Sequence, residues 1–294
     1  MALNIEKSTT IELSEKLGVC YNITERKEGV MMLLKNELGT VYYEVYGPEN
    51  APAVVFFHGV AMDHQSFKTQ VEALKENYRV IVWDMPFHGK SSAIDKDISF
   101  SEASADFIME IMDVLNISKA VMVGLSLGSF VIQKAAHKYP ERVTALVHIS
   151  GGTLYPKYNS LLKVLKPFMY LLKLYPDRLL NNAFAKHKAL TKDTQDYLIE
   201  TIQRTGKDVT IHMINEMLED MVEGLPEHPK QPMLIIYGDH DISFIKNMSV
   251  KWHADRPESQ LKMVENAHHI VNQDKPEELN KILLDFLKER QNVE

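Results

Sequence analysis

The feature that most restricts this chain is a set of short β-rich runs that are mostly apolar and do not alternate with polar residues. They are AVVFF at 53–57, RVIVW at 79–83, AVMV at 120–123, VTALVHI at 143–149 and MLIIY at 233–237. A strand with one wet face alternates apolar and polar residues. These runs do not alternate, so both of their faces must be covered, as in a parallel sheet. Further strand-like runs lie at 41–46 and 261–264, and helical patterns at 65–76, 101–115, 127–138 and 277–289 separate them. Strand and helix in turn imply right-handed crossovers. The expected fold is an α/β, mostly parallel, doubly wound sheet with helices on both faces. A chain of 294 residues can form one such domain with an insertion.

The rhythm breaks once. Between 149 and 233 no convincing strand occurs, and most of the interval has helical periodicity. A structureless loop of that length does not suit a compact domain. We therefore expect a helical insertion at 153–227, acting as a cap or lid on a core formed by 29–152 and 228–294. Residues 1–28 carry no motif and read as an extension of unassigned role. Within the insertion, LLKVLKPFMYLLKLYPDRLL intersperses Lys163, Lys166 and Lys173 among apolar residues. A membrane-surface helix has this pattern. So does a cap helix packing its apolar face over a site, which is the expectation here.

Charge and cysteine content narrow the class. The net charge of −7 opposes nucleic-acid binding, which needs a basic field. It also opposes stable association with anionic membranes. The single cysteine, Cys20, forms no intrachain disulfide. No apolar run reaches signal-peptide or membrane-span length, so the expected location is the cytoplasm.

The segment VMVGLSLGSF places one hydroxyl, Ser126, between Gly124 and Gly128, after a strand and at the start of a helix. That is the setting of a nucleophile elbow, a sharp turn that lifts a serine above the carboxyl edge of the sheet. Chance would give G-x-S-x-G about 0.03 times in a chain of this composition. A serine hydroxyl is a weak nucleophile, so it needs a base and a group to orient that base. Asp239 and Asp241 follow the run at 233–237, and His268 and His269 follow the run at 261–264. All lie at the strand ends where parallel α/β sheets collect ligands. An oxyanion also needs two N–H donors. Leu127, next to the serine, is one candidate. Val60, after the bend that Gly59 permits, is the other.

With these pieces in place, HGVAMDHQSF, WDMPFHGKSS, GLSLGS, YPERVTALVHIS, YGDHDISF and AHHIVNQDKPEEL resemble the α/β-hydrolase fold superfamily across residues 39–287. The likeness is to its capped branch of small esterases, enol-lactonases and C–C hydrolases. It implies a G-x-x-D turn that selects Asp241 over Asp239. It also implies a histidine seven residues before Pro276, which selects His269 over His268. Two positions depart from the pattern. Phe87 stands where a glycine is usual, and Ser129 follows Gly128 in place of a second glycine.

The expectation is a cofactor-independent serine hydrolase with Ser126, Asp241 and His269 as its catalytic residues. Its substrate would be a small to medium carboxylic ester, thioester or lactone. The alternatives are C–C bond hydrolysis or acyl transfer by the same residues, or a ligand-binding protein on this fold. His240 with its flanking aspartates and the His268–His269 pair form a weaker pattern for a metal, and none is expected. His58, His88 and Asp84 read as loop-tying residues.

Overall fold

The computed structural model describes residues 8–11, 20–26, 29–156 and 171–291. Its strands are β1 (Ser8–Ile11), β2 (Cys20–Arg26), β3 (Gly29–Lys35), β4 (Thr40–Tyr46), β5 (Ala53–Phe57), β6 (Arg79–Trp83), β7 (Ala120–Leu125), β8 (Val143–Ile149), β9 (Met233–Gly238) and β10 (Gln260–Val264). They form one sheet in the order β1-β2-β3-β4-β6-β5-β7-β8-β9-β10. From β6 to β10 all neighbours are parallel. From β1 to β4, and from β4 to β6, they are antiparallel.

The parallel half explains the apolar runs. On β5, Val54 and Phe56 pack into a core with Val71 of α1 (Lys68–Leu74) and Leu283 and Phe286 of α9 (Pro276–Gln291). Val55 and Phe57 point to the opposite core, with Phe107 and Ile108 of α2 (Phe100–Val114) and Val131 of α3 (Leu127–Lys138). Each buried side chain of this size removes enough apolar surface to contribute roughly 1.5–3 kcal/mol. A polar residue on either face would forfeit that gain. The antiparallel half extends beyond the expected first strand: β2 and β3 pair over seven residues each, and β3 pairs in turn with β4.

Strand order reverses between β5 and β7, where one crossover leads to β6 and the next turns the other way. This switch point leaves a crevice at the carboxyl ends of the strands. Between β8 and β9 the described residues form α4 (Asp177–Lys188), α5 (Lys192–Thr205) and α6 (Lys207–Glu223). Of the lysine-studded stretch, Lys163 and Lys166 lie outside the described residues. Two further helices, α7 (Ser243–Asp255) and α8 (Val271–Asp274), complete the layers. Among the described residues no helix is long and apolar enough to cross a membrane.

The inserted helices are fastened to the rest by part-buried polar contacts. The Asp63 carboxylate accepts from the Tyr197 hydroxyl of α5 at 2.9 Å and pairs with Arg204. Asp274 accepts from the Leu190 and Thr191 N–H groups, each at 3.1 Å. Lys134 of α3 lies 3.1 Å from Glu223 and 3.8 Å from Asp220, both on α6.

Candidate functional site

The turn after β7 holds Ser126 at φ 51°, ψ −109°. A non-glycine residue adopts that conformation only at a cost of about 1–3 kcal/mol, met by surrounding structure. Here the Ser126 N–H donates to the Ile149 carbonyl at 2.9 Å, and its own carbonyl accepts from Ser129 N–H at 3.0 Å. The two flanking glycines are required by close approach. A Cβ on Gly124 would stand 2.5 Å from the Gly128 carbonyl, and one on Gly128 would stand 2.3 Å from the Phe57 carbonyl oxygen. Strand, helix and neighbouring strand therefore meet backbone to backbone at this turn.

His269 and Asp241 come to the same place from two other loops. His269 Nε2 lies 2.9 Å from Ser126 Oγ, and His269 Nδ1 lies 2.9 Å from Asp241 Oδ1. The carboxylate can only accept, so Nδ1 carries the proton and Nε2 is left to accept from the serine hydroxyl. The Ile242 N–H donates to the same Asp241 oxygen at 2.7 Å. Asp239 does not reach His269. Its carboxylate accepts from the Ala267 N–H at 3.1 Å and lies 2.8 Å from His240 Nδ1, which braces the loop that carries the histidine. His268 has its backbone N–H on Asp274 at 3.0 Å, and its Nδ1 accepts from the His269 N–H at 2.8 Å.

The protonation balance follows from burial and neighbours. Burial pushes the His269 pKa below 6.5, and the Lys188 ammonium pushes the same way against the pull of Asp241. Burial opposes the charge on Asp241, but the adjacent His269 ring and the hydrogen bonds to the carboxylate outweigh it and lower its pKa. At neutral pH the row is hydroxyl, neutral imidazole, carboxylate. Such a row can pass a proton from the serine to the imidazole as the hydroxyl attacks an electrophile.

A cavity of about 190 Å³ opens on this row. Gly59, Val60, Met62, Ser126, Phe184, Lys188, Leu198, Ile214, Met217, His269 and Ile270 line it. Val60 thus stands on the wall beside Ser126, and the Met62 N–H closes a turn onto the Gly59 carbonyl at 3.2 Å. Leu127 is the first residue of α3, where backbone N–H groups have no partner within the helix.

The other singled-out residues brace loops. His58 Nε2 accepts from the Met85 N–H at 3.0 Å, joining the loops after β5 and β6. Asp84 accepts from the Lys90 N–H at 2.8 Å and the His64 N–H at 2.7 Å. Phe87, at the position where a glycine is usual, has φ 70°, and its ring meets His212 of α6 edge-on at 5.3 Å. Sequence reasoning passed over Lys188, Asp63 and Asp274. The last two lie within motifs it did single out, yet a lone aspartate carries no mark of what it will bind.

Comparison with known proteins agrees with this architecture. A family model for the alpha/beta hydrolase fold matches residues 52–193. The chain is 38% identical over 98 residues to 3-oxoadipate enol-lactonase 1 of Acinetobacter baylyi, a match covering 33% of this chain and 36% of that relative. It is 27% identical to 2-hydroxy-6-oxononadienedioate/2-hydroxy-6-oxononatrienedioate hydrolase 2 of Pseudomonas putida, covering 95% of this chain and 99% of the relative. The crystal structure of a hydrolase from Pseudomonas aeruginosa superimposes with a TM-score of 0.74 at 18% identity, over 87% of this chain and 98% of that one. At that identity the likeness speaks for the fold.

Proposed function

The chain belongs to the α/β-hydrolase superfamily, and from that premise we propose that it is a serine hydrolase. Its substrate would be a small carboxylic ester, thioester or lactone, cut through an acyl-enzyme. The observation that carries this reading is the hydrogen-bonded row Ser126–His269–Asp241 opening onto a largely apolar cavity. Ser126 Oγ attacks the substrate carbonyl carbon while its proton passes to His269 Nε2. Asp241 holds the ring in the tautomer that can accept and stabilises the imidazolium. The Val60 and Leu127 N–H groups receive the oxyanion. His269 then protonates the leaving oxygen or sulfur, and the C–O or C–S bond breaks. Water enters, gives its proton to His269 and attacks the acyl carbon. Ser126 leaves with that proton, and the free acid departs.

The cavity volume supports a short substrate. A cavity near 150 Å³ suffices for a benzene-sized group, so about 190 Å³ suits an acyl chain of similar bulk. The helices between β8 and β9 act as the cap, since Phe184, Leu198, Ile214 and Met217 form one wall of the cavity. A second reading uses the same residues to hydrolyse a C–C bond. The near full-length likeness to the Pseudomonas putida hydrolase favours it.

Fluorophosphonate labelling tests the serine-hydrolase reading. The expected result is one adduct, mapped to Ser126, absent in S126A and formed far more slowly in H269A. Ester turnover should fall by roughly 10³–10⁶-fold in either variant. Labelling elsewhere, or unchanged turnover in S126A, would refute it. Labelled enzyme that ignores esters but cleaves a vinylogous diketone would favour the second reading.

A further inference from the structure

One charged side chain in the cavity takes no part in the proposed chemistry. Of the lining residues, Ser126 and His269 belong to the reacting row. The others are glycine, aliphatic, methionine or aromatic, except Lys188. Lys188 ends α4, and its backbone is tied to the histidine loop, since its carbonyl accepts from the Ile270 N–H at 3.1 Å. Its ammonium lies 5.7 Å from the centre of the Phe184 ring. Among the described residues no carboxylate lies within ion-pair distance of it. Burial draws its pKa down to about 8, with Asp241 pulling the other way. The lysine is therefore mostly charged at neutral pH.

A cation at such a site is costly unless something compensates it. The negative end of α4 compensates in part, as does the Phe184 ring. Neither requires the ammonium to face the cavity. A surface lysine at a helix end ordinarily turns its head to water. This one lines a cavity of about 190 Å³ shared with the Ser126 hydroxyl.

We propose that Lys188 is the specificity residue of this site, and that it seats a carboxylate carried by the substrate away from the bond that is cut. This rests on the serine-hydrolase reading above. The remaining walls fix the rest of the substrate's character. Leu198, Ile214 and Met217 offer no hydrogen bond to a polar chain, so carbon links the carboxylate to the reacting carbonyl. A single ammonium matches a monoanion, and a phosphate dianion would keep one charge uncompensated in an apolar setting. The substrate class is thus a half-ester, half-thioester or lactone of a short dicarboxylic acid.

Seating the anion also acts on the base. In the empty site Lys188 lowers the His269 pKa. A bound carboxylate cancels that field, so His269 is a stronger base when the proper substrate is present. The other titratable groups around it are Asp241 at Nδ1, His268 beside it, His187 against the His268 ring at 5.9 Å, and Asp274 on the His268 N–H. All persist when Lys188 is replaced.

The test compares 4-nitrophenyl hydrogen glutarate, which carries a free carboxylate, with 4-nitrophenyl pentanoate, its neutral counterpart. In K188M, kcat/KM for the glutarate half-ester should fall by at least about tenfold, and that for the pentanoate ester by less than about threefold. K188R should restore most of the difference. With the neutral ester, the acid limb of kcat/KM should move to higher pH in K188M, which loss of packing alone would not do. Equal losses on both esters, or none on either, would overturn the assignment. Titration calorimetry with glutaramate, the monoamide of glutarate and a monoanion, keeps the two readings separate. If Ser126 takes no fluorophosphonate and neither ester turns over, the serine-hydrolase reading fails, yet glutaramate binding lost in K188M and kept in K188R still supports the anion site. Glutaramate binding that is absent, or unchanged in K188M, overturns it.

Discussion

Gly128→Ala sets two effects of known sign against each other at one atom. Position 128 lies in the first turn of α3, where alanine should stabilise a helix by about 1 kcal/mol relative to glycine. The added Cβ, however, meets the Phe57 carbonyl oxygen at 2.3 Å and the Phe57 carbonyl carbon at 2.7 Å. The first contact is about 1.1 Å short of the 3.4 Å at which ordinary packing begins. Both atoms are backbone, so no side chain can rotate away. Either α3 or the end of β5 must move by about 1 Å. Overpacking of this kind costs about 1–3 kcal/mol, and a clash with fixed backbone belongs at the upper end. The clash therefore wins. The net loss of about 1–2 kcal/mol corresponds to a fall in melting temperature of roughly 2–3 °C in a domain of this size. The effect on turnover is larger. Phe57 leads directly into His58, Gly59 and Val60 on one side of the cavity, and Ser126 lies at the foot of α3 on the other. A misplacement of about 1 Å between reacting groups costs about 100-fold. Thermal melting and ester kinetics measure the two losses. A G128A protein that melts at or above the parent temperature and keeps its kcat would refute the argument that backbone contact shapes this turn.

Asp241→Asn should lower kcat by about 10³–10⁴-fold with little change in KM, because an amide no longer holds the His269 ring in the accepting tautomer. Asp239→Asn should cost far less, and a reversed order would transfer the orienting role to Asp239. Burial lowers the pKa values of His88 and His148 from 6.5 to about 3. The unfolded chain therefore binds protons that the folded one refuses. Urea denaturation should show stability declining below pH 6.5, by about 1.4 kcal/mol per pH unit for each histidine, as far as about pH 3. His64 behaves in the opposite sense. Burial disfavours its charge, but hydrogen bonds to Asp84 and Glu44 prevail and raise its pKa to about 9. Its contribution is complete below pH 6.5 and disappears as pH rises to about 9, so H64Q should flatten the alkaline side of the profile.

The sequence disclosed most where a residue's role is fixed by its near neighbours in the chain. The runs at 53–57, 79–83 and 143–149 are mostly apolar because each is packed on both faces, and the structure has strands at the same residues. The turn around Ser126 was legible because strand, glycines and helix occur within a few residues. The antiparallel strands before β4 were not. GVMMLLK at Gly29–Lys35 is buried at only two positions, so its apolar residues have no clear period, and CYNITER at Cys20–Arg26 reads as a polar loop. The helix Ser243–Asp255 buries Met248, Ser249 and Trp252, too sparse a stripe to stand out. Lys188 was invisible for a different reason. NNAFAKHKAL has the look of a wet helix end, and only the packing of α4 against the histidine loop turns that lysine toward Ser126. Phe87 was noticed as an anomaly but not explained, because its partner, His212, is more than a hundred residues away.

Asp63 and Asp274 give the proposed cap a consequence for engineering. Asp63 lies in the loop just past Val60 and Asp274 ends α8 just past His269, and both accept from groups of the inserted segment, Tyr197 of α5 and the link between α4 and α5. A chimera that exchanges residues 153–227 for a foreign cap would inherit these two sockets. Unless the graft brings a donor pair for Asp63 and two free N–H groups for Asp274, each buried carboxylate keeps only a local donor, the Gln65 N–H for Asp63 and the His268 N–H for Asp274. Cap exchange in this scaffold is therefore governed less by the shape of the new lid than by the few residues at its hinges.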